Sequence, residues 1–204
     1  MNRAARNAVE VVDVVFPLHG HAVARDHAQA LRQALMTVWP WLKGDKVAAI
    51  HPIKLVPGNE TSGLLSQRTC LVLRVASDRV DALTAAAGMR LELLGQPLQL
   101  GRPQLRPLRP HSAMYAYRVA AQGPDEVAFM AQVECDLRRL GITAARVCGK
   151  HQCLQLPDRM LHGFSLLLHE MTPQHALQLQ QQGLGEHRLL GCGVFVPHRS
   201  AAAV

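Results

Sequence analysis

Histidine is a residue type that can transfer protons near neutral pH, and three of the eleven histidines lie close together near the start of the chain. His19, His21 and His27 lie between an apolar run rich in β-branched residues and the first amphipathic segment. A histidine suits general-base work near neutral pH because its unperturbed pKa is about 6.5, and a helix N-terminus keeps the ring neutral. We therefore rank His27 first as a base, then His21, then His19. The alternative, that His27 only caps or packs against the helix start, stays open.

A second candidate segment is residues 183–200, with the sequence GLGEHRLLGCGVFVPHRS. Glycine lets backbone N–H groups approach a phosphate closely, where a Cβ would obstruct the contact. The alternative is a tight helix-to-strand turn, but two closely spaced glycine pairs that flank basic residues exceed what a turn requires. The segment therefore predicts anion binding by Gly183, Gly185, His187, Arg188, Gly191 and Gly193.

The charge distribution favours a polyanionic partner. The formal net charge is +7 and the sequence pI is about 9.6. No acidic residue occurs between residues 93 and 124 or after Glu186, so basic side chains are concentrated in two stretches. Aromatic residues make up only 4% of the chain, so charge and backbone donors should dominate over base stacking. The arginines predicted to bind phosphate in these stretches are Arg102, Arg106, Arg109 and Arg199.

Cysteine usage and hydropathy suggest a cytoplasmic protein without a metal centre. The five cysteines form an odd set with no regular framework, which fits a reducing compartment. Cys148 and Cys153 flank His151, but their spacing does not match a zinc knuckle, so we predict no metal ligands and no cofactor. We expect neither a signal peptide nor a membrane segment, because Glu10 and Asp13 interrupt the first apolar stretch.

Hydrophobic periodicity predicts that each half of the chain repeats one order of strands and helices. In the first half we expect a strand over 9–18, a helix over 26–39 capped by Asp26, strands over 47–56 and 69–76, a short helix over 78–87, and a strand or hairpin over 89–100. In the second half we expect a strand over 113–121, a helix over 124–140, a strand or hairpin within 142–156, a strand over 164–169, a helix over 173–182 and a strand over 192–197.

This order predicts an α+β fold of two tandem ferredoxin-like (RRM-like) βαββαβ domains. We place the N-terminal domain at residues 1–101, a basic, proline-rich linker at 102–111 and the C-terminal domain with the glycine-rich segment at 112–204. The alternative is one continuous α+β domain in which the repeated order is coincidental.

The glycine-rich segment, together with Phe16-Pro17-Leu18-His19-Gly20, the run RDHAQAL from Arg25, and Ile50-His51-Pro52-Ile53, resembles a known family. It is similar to the Cas6 family of CRISPR repeat endoribonucleases, in the RAMP superfamily, and especially to the MYXAN-type branch. The resemblance spans nearly the whole chain, although the middle is matched only by the order of its elements.

The resemblance implies an enzyme that binds a CRISPR repeat RNA hairpin and cuts it without metal to give mature crRNA. The 2′-OH would attack the phosphate, leaving a 2′,3′-cyclic phosphate and a 5′-hydroxyl, and other Cas subunits are implied as further partners. The family's catalytic histidine commonly lies between the first strand and first helix, and Arg25, Lys54 or Arg188 could supply the assisting cation.

Three other functions remain open from the sequence. The first is a catalytically inactive RAMP-type subunit that binds crRNA within an effector complex. The second is a two-histidine phosphoesterase, although only His198-Arg199-Ser200 fits its H-x-[ST] motif. The third is a scaffold or small-molecule-binding protein, which would show no salt-dependent affinity for RNA.

Overall fold

The computed structural model describes residues 10–198 and has the predicted α+β composition. Among these residues, no helix is long and apolar enough to cross a membrane. The helices are α1 (Ala28–Val38), α2 (Val80–Thr84), α3 (Glu126–Leu140) and α4 (Pro173–Gln182), with 3₁₀ turns at Pro40–Lys43, Ser77–Arg79 and Arg188–Leu190. The strands are β1 (Val11–His19), β2 (Ala22–Ala24), β3 (Ala49–Ile50), β4 (Val56–Pro57), β5 (Ser62–Leu64), β6 (Cys70–Ala76), β7 (Arg90–Leu93), β8 (Gln96–Leu100), β9 (Gln104–Pro107), β10 (Met114–Ala121), β11 (Ala145–Gln155), β12 (Met160–His169) and β13 (Phe195–Pro197).

The N-terminal sheet is built around β1. Its strands are ordered β3-β6-β1-β8-β7, and β9 also pairs with β1. Valine and phenylalanine side chains of β1 are fully buried at Val14 and Phe16, as the β-branched run predicts. Helix α1 packs on this sheet through Leu31 and Leu35, which lie four residues apart on one helix face.

The C-terminal sheet is antiparallel, with the order β11-β12-β10-β13. Helix α3 begins at the N-cap Asp125, whose carboxylate accepts from the backbone N–H groups of residues 127 and 128, and ends at Gly141 with φ of 66°. Both ends match the sequence pattern. Phe129 of α3 stacks on Phe164 of β12 with ring centroids 4.7 Å apart, so the helix covers one face of this sheet.

Three local predictions were wrong in detail. The strand expected over 47–56 is only two short pieces, β3 and β4, because Pro52 has no N–H to donate to a ladder. The strand expected over 192–197 starts later, at Phe195, since Gly193 has φ of 64°. Asp26 does not cap α1; the N-cap residue is His27, and its side chain makes no capping hydrogen bond.

Part of the basic segment predicted as a linker belongs to the N-terminal sheet. Residues 104–107 form β9, which runs antiparallel to β1 and places Arg106 opposite Asp13. The segment is extended, as its prolines suggest, but its backbone groups pair with a strand of the core. The connection between the two halves is therefore held against β1 through residues 104–107.

A buried arginine joins the two halves. Arg74 of β6 is 1% exposed, and its Nε and Nη2 donate to the carboxylate of Asp13 at 2.7 and 3.1 Å. Its Nη1 donates across to the carbonyl oxygens of Gln180 at 3.0 Å and Phe195 at 2.9 Å. His51 Nε2 lies 3.4 Å from Asp13 Oδ1. One guanidinium thus binds an N-terminal carboxylate and two C-terminal carbonyls.

This arrangement predicts an acid-sensitive contribution to stability. Burial alone would raise the pKa of Asp13, but the contacts from His51 and Arg74 and the Arg74 charge overcome it, so the pKa lies well below its ordinary value of 3.8. A carboxyl group whose pKa is lower in the folded than in the unfolded protein stabilises the fold at pH values above its unfolded-state pKa. This stabilisation is lost as the pH falls below that value toward the folded-state pKa. We expect the urea unfolding free energy to drop below about pH 4, and Asp13→Asn to flatten that decline. An unchanged pH slope in the variant would contradict this.

Candidate functional site

The start of α1 is held at the junction of the two halves. Ala28, the first residue of the helix, packs against a small buried cluster from the C-terminal half. The cluster consists of Ala120, Leu154, Leu156, Leu161, Leu190 and Cys192. Apolar contact therefore fixes the N-terminus of α1 against the face of the C-terminal sheet that lies away from α3.

His27 is a buried histidine at this junction, 7% exposed. Its Nδ1 lies 2.8 Å from the carbonyl oxygen of Ala24. A carbonyl can only accept, so Nδ1 carries the proton and Nε2 keeps a free lone pair. Burial lowers the pKa of His27, the charge of Arg118 lowers it further, and the Ala24 carbonyl and Asp26 oppose them without cancelling the shift. At neutral pH the ring is therefore neutral, with Nε2 available to accept a proton.

Arg118 of β10 faces the same junction from the C-terminal half. Its Nη2 lies 3.4 Å from Gln152 Oε1, and its Nε is buried without a hydrogen-bond partner among the described residues. The backbone is held as well, because the N–H of Gly193 donates to the Arg118 carbonyl at 2.7 Å. The thiol of Cys192 is fully buried beside this guanidinium, and burial raises its pKa. Arg118 is therefore an anchored cation with donor capacity to spare.

The glycine-rich segment folds back on itself beside Arg118. Leu184 N donates to Gly193 O at 3.3 Å, and a Cβ on Gly193 would collide with the Leu184 carbonyl. A Cβ on Gly183 would in turn lie 2.7 Å from Gly193 O. Backbone packing thus requires glycine at these two positions. Gly185 differs, because a Cβ there would meet nothing closer than 3.8 Å.

A cleft of about 560 Å³ opens next to this segment. His187 lines it with a backbone φ of 65°, its Nε2 lies 3.5 Å from Arg159 Nη2, and burial lowers its pKa. Arg32 and Lys46 of the N-terminal half also line the cleft, together with the acidic residues Asp45, Asp158 and Glu186. Arg188 turns inward instead: its Nη1 donates to the carbonyls of residues 181 and 182 at the end of α4, and burial lowers its pKa to about 10.

Residues 12–200 match the family model described as Cas6 Crispr, which is nearly the whole chain. The chain belongs to the Cas6 family. A protein of Myxococcus xanthus (strain DK1622) named CRISPR-associated endonuclease Cas6 is 33% identical over 199 residues, which cover 97% of this chain and 86% of the relative. The family membership expected from the sequence resemblance is therefore confirmed.

Solved structures share the fold at much lower identity. One described as CRISPR associated protein Cas6 has a TM-score of 0.66 at 10% identity, covering 93% of this chain and 100% of that one. Another, described as a RAMP protein binding different RNA substrates, has a TM-score of 0.60 at 11% identity with the same coverage. At such identity the likeness concerns the fold.

The structure separates the three candidate histidines of this Cas6-family chain. His19 is exposed at the end of β1 and pairs with Gln99 of β8. His21 is also exposed, and its carbonyl accepts from Leu65 N. Both contacts lie within the N-terminal half, whereas His27 is buried at the junction, where the charge of Arg118 from the other half lowers its pKa. This placement supports the choice of His27, and the ranking of the three histidines stays a prediction.

The predicted cations also differ in their surroundings. Arg102, Arg106 and Arg109 are exposed, as phosphate binding requires, and Arg199 lies outside the described residues. Arg25 Nε donates to Asn59 O at 3.0 Å, and Lys54 is exposed. Of the three cations suggested from sequence, Arg188 is also buried near charges of the N-terminal half, and its Nε and Nη2 have no hydrogen-bond partner among the described residues. Arg118 differs in that its charge acts on the pKa of His27.

Sequence reasoning missed Arg118 as a site residue, although a signal was present. Arg118 is the single charged residue of the predicted strand over 113–121, and a charged side chain in such a strand calls for a partner or a ligand. In the structure it lies on the other face of the sheet from Met114 and Ala116, beside Gln152. The strand also shifts register between Ala116 and Val119, which places Arg118 at an irregularity of the kind often found beside functional sites.

Proposed function

We propose that this Cas6-family protein binds CRISPR repeat RNA and cleaves it, with His27 as general base and Arg118 as the cation at the scissile phosphate. The observation that carries the proposal is the placement of two groups at the junction. A buried neutral imidazole with a free Nε2 lies where the charge of the Arg118 guanidinium lowers its pKa, and the buried Nε of Arg118 has no hydrogen-bond partner among the described residues. The relative from Myxococcus xanthus, named as an endonuclease, supports the same activity.

The proposed reaction needs no group beyond the RNA and these side chains. His27 Nε2 takes the proton of the 2′-OH, and the 2′-oxygen forms a bond to phosphorus while the bond to the 5′-oxygen breaks. Arg118 donates to the phosphate oxygens as their negative charge grows. The 5′-oxygen then takes a proton from the imidazolium or from water, and the products are a 2′,3′-cyclic phosphate and a 5′-hydroxyl.

RNA binding is proposed to use charge and backbone donors. The exposed arginines Arg102, Arg106 and Arg109 would bind the phosphates of a repeat hairpin. Gly185, where a Cβ would meet nothing closer than 3.8 Å, would let the backbone approach RNA, and His187 with its neighbours would line the cleft. Arg199 and the remaining residues of the glycine-rich segment stay predicted RNA contacts. Other Cas subunits stay predicted partners, and a cytoplasmic location stays a prediction as well.

The architecture is proposed to be two tandem ferredoxin-like units, at residues 1–101 and 112–204, joined by the basic segment 102–111. The strand order of each main sheet supports this. The C-terminal sheet places its first and third strands side by side at the centre, with the second and fourth outside, and β3-β6-β1-β8 has the same order.

Arg118→Ala tests the catalytic assignment. We expect the single-turnover cleavage rate of bound repeat RNA in EDTA to fall by about 10²–10³-fold, because a fixed donor to the developing charge is removed. Arg139→Ala is a matched control, since Arg139 is 73% exposed and pairs with Asp136 on α3. A weaker RNA affinity with an unchanged rate for bound RNA would make Arg118 a binding residue only.

The second candidate function is a crRNA-binding subunit without catalysis. Both functions share the argument for RNA binding, so they differ in one result. Repeat RNA that is bound by the wild type at low salt and never cut would favour the inactive subunit.

A further inference from the structure

Three nitrogen and sulphur ligands converge on the hairpin of β11 and β12, away from the proposed cleavage site. His151 and Cys153 lie two residues apart on β11, so their side chains share one face of the sheet. His162 of β12 is paired directly with Cys153. Their potential ligand atoms all lie within 4.8 Å of one another.

The separations of these atoms match a tetrahedral metal site. His151 Nε2 lies 3.2 Å from His162 Nδ1, and Cys153 Sγ lies 3.5 Å from His162 Nδ1 and 3.9 Å from His151 Nε2. Zinc bonds of about 2.0–2.1 Å to nitrogen and 2.3 Å to sulphur, at tetrahedral angles, require about 3.3–3.4 Å between nitrogens and about 3.6 Å between nitrogen and sulphur. All three distances agree with these values to within about 0.3 Å.

The ligand types restrict the metal class. Two imidazoles and a thiolate favour zinc and similar late transition ions, whereas magnesium and calcium require oxygen ligands. We propose that His151, Cys153 and His162 form a three-ligand site for a divalent transition metal such as Zn²⁺, with its fourth position open to solvent. The sequence predicted no metal because the spacing of Cys148 and Cys153 does not match a zinc knuckle. In the proposed site Cys148 is not a ligand, and the third ligand, His162, comes from the neighbouring strand.

The site is distinct from the junction that holds His27. Gln152, between two of the ligands, points to the other face of the sheet, where its Nε2 donates to Tyr117 O at 2.8 Å and its Oε1 contacts Arg118. The His151 ring packs on Phe164 at 4.9 Å between centroids, on the face that α3 covers. A metal here would clamp the two strands of the hairpin together and take no part in cleavage.

Cobalt titration of tag-free, EDTA-stripped protein tests the site, because Co²⁺ replaces zinc and a thiolate ligand gives an intense near-ultraviolet charge-transfer band. We expect one equivalent to bind, with the band lost when Zn²⁺ displaces the cobalt. Cys153→Ser should abolish the band, and His162→Gln should weaken cobalt affinity at least about tenfold, as losing even an outer-shell partner does. Cys135→Ser, which removes an exposed thiol on α3, should leave both unchanged.

Thermal unfolding gives an independent measurement on the same proteins. Zinc should raise the Tm of the wild type and of Cys135→Ser, and should leave Cys153→Ser unchanged. The proposal is overturned if the wild type shows no thiolate band at one equivalent of cobalt, or if the band survives in Cys153→Ser. Either result would mean that the three side chains form only a hydrogen-bonded cluster. Repeat-RNA cleavage in EDTA is expected to be the same for wild type and Cys153→Ser.

Discussion

His27→Ala is expected to slow cleavage of bound repeat RNA by about 10²–10⁴-fold, the usual contribution of a positioned general base. The reason is geometric: the Ala24 carbonyl fixes the proton on Nδ1 and leaves Nε2 as the acceptor. Single-turnover cleavage in EDTA measures the effect. Since the pKa of His27 lies below 6.5, the wild-type rate should hold as the pH falls through 6.5 and decline only in more acidic solution.

Three comparisons make the His27 result specific. An RNA with hydrogen in place of the scissile 2′-OH should bind and remain uncut by wild type; its cleavage would refute the cyclic-phosphate mechanism. His169→Ala, at the end of β12 beside Glu170, is a control that should cleave normally. If His21→Ala abolished cleavage and His27→Ala did not, the ranking of the histidines would be reversed.

Arg74→Met is expected to lower the unfolding free energy by about 3–5 kcal/mol, the cost of breaking a buried ion pair from one side. The variant leaves the Asp13 carboxylate buried without its main partner and removes the donor to the carbonyls of Gln180 and Phe195. Urea unfolding followed by circular dichroism measures this loss.

An exposed arginine provides the matched control for Arg74. Arg79 has the same charge and an acidic partner, Asp45, at 3.8 Å, but its side chain is 43% exposed. Arg79→Met should therefore cost no more than about 1 kcal/mol. Replacing Asp13 with asparagine as well as Arg74 with methionine should cost less than the two single losses added together, because they share one interaction. Equal losses of unfolding free energy in Arg74→Met and Arg79→Met would show that the buried contacts of Arg74 contribute no more to stability than an exposed ion pair.

The sequence predicted the elements whose signals are local. Helix α4 begins and ends where expected, at Pro173 and Gln182, because proline and Thr172 mark its start and Gly183 its end. Helix α3 follows its apolar stripe in the same way. The strand predicted over 47–56, around Pro52, was too long, since apolar composition does not reveal which backbone groups lack a hydrogen-bond partner on a neighbouring strand.

Features that depend on contacts between the halves could not be predicted in the same way. Arg74 sits within an alternating strand and looks like a solvated position until Asp13 and the C-terminal carbonyls are seen around it. Arg118 and His162 have partners on other strands of the C-terminal sheet, which the sequence alone does not bring together. Position in the chain did lead to His27 as a candidate, because a helix start near the first strand is a local feature, and its catalytic role stays a prediction.

The reach of Arg74 has a consequence for the order in which the protein can be completed on the ribosome. Phe195, one of its acceptors, is synthesised 121 residues after Arg74, and Gln180 106 residues after it. The N-terminal half therefore emerges before either of these acceptors has been synthesised. A nascent chain that stops before β13 leaves that guanidinium partly unsatisfied, so the finished fold is reached only after the last strand has been made and docked.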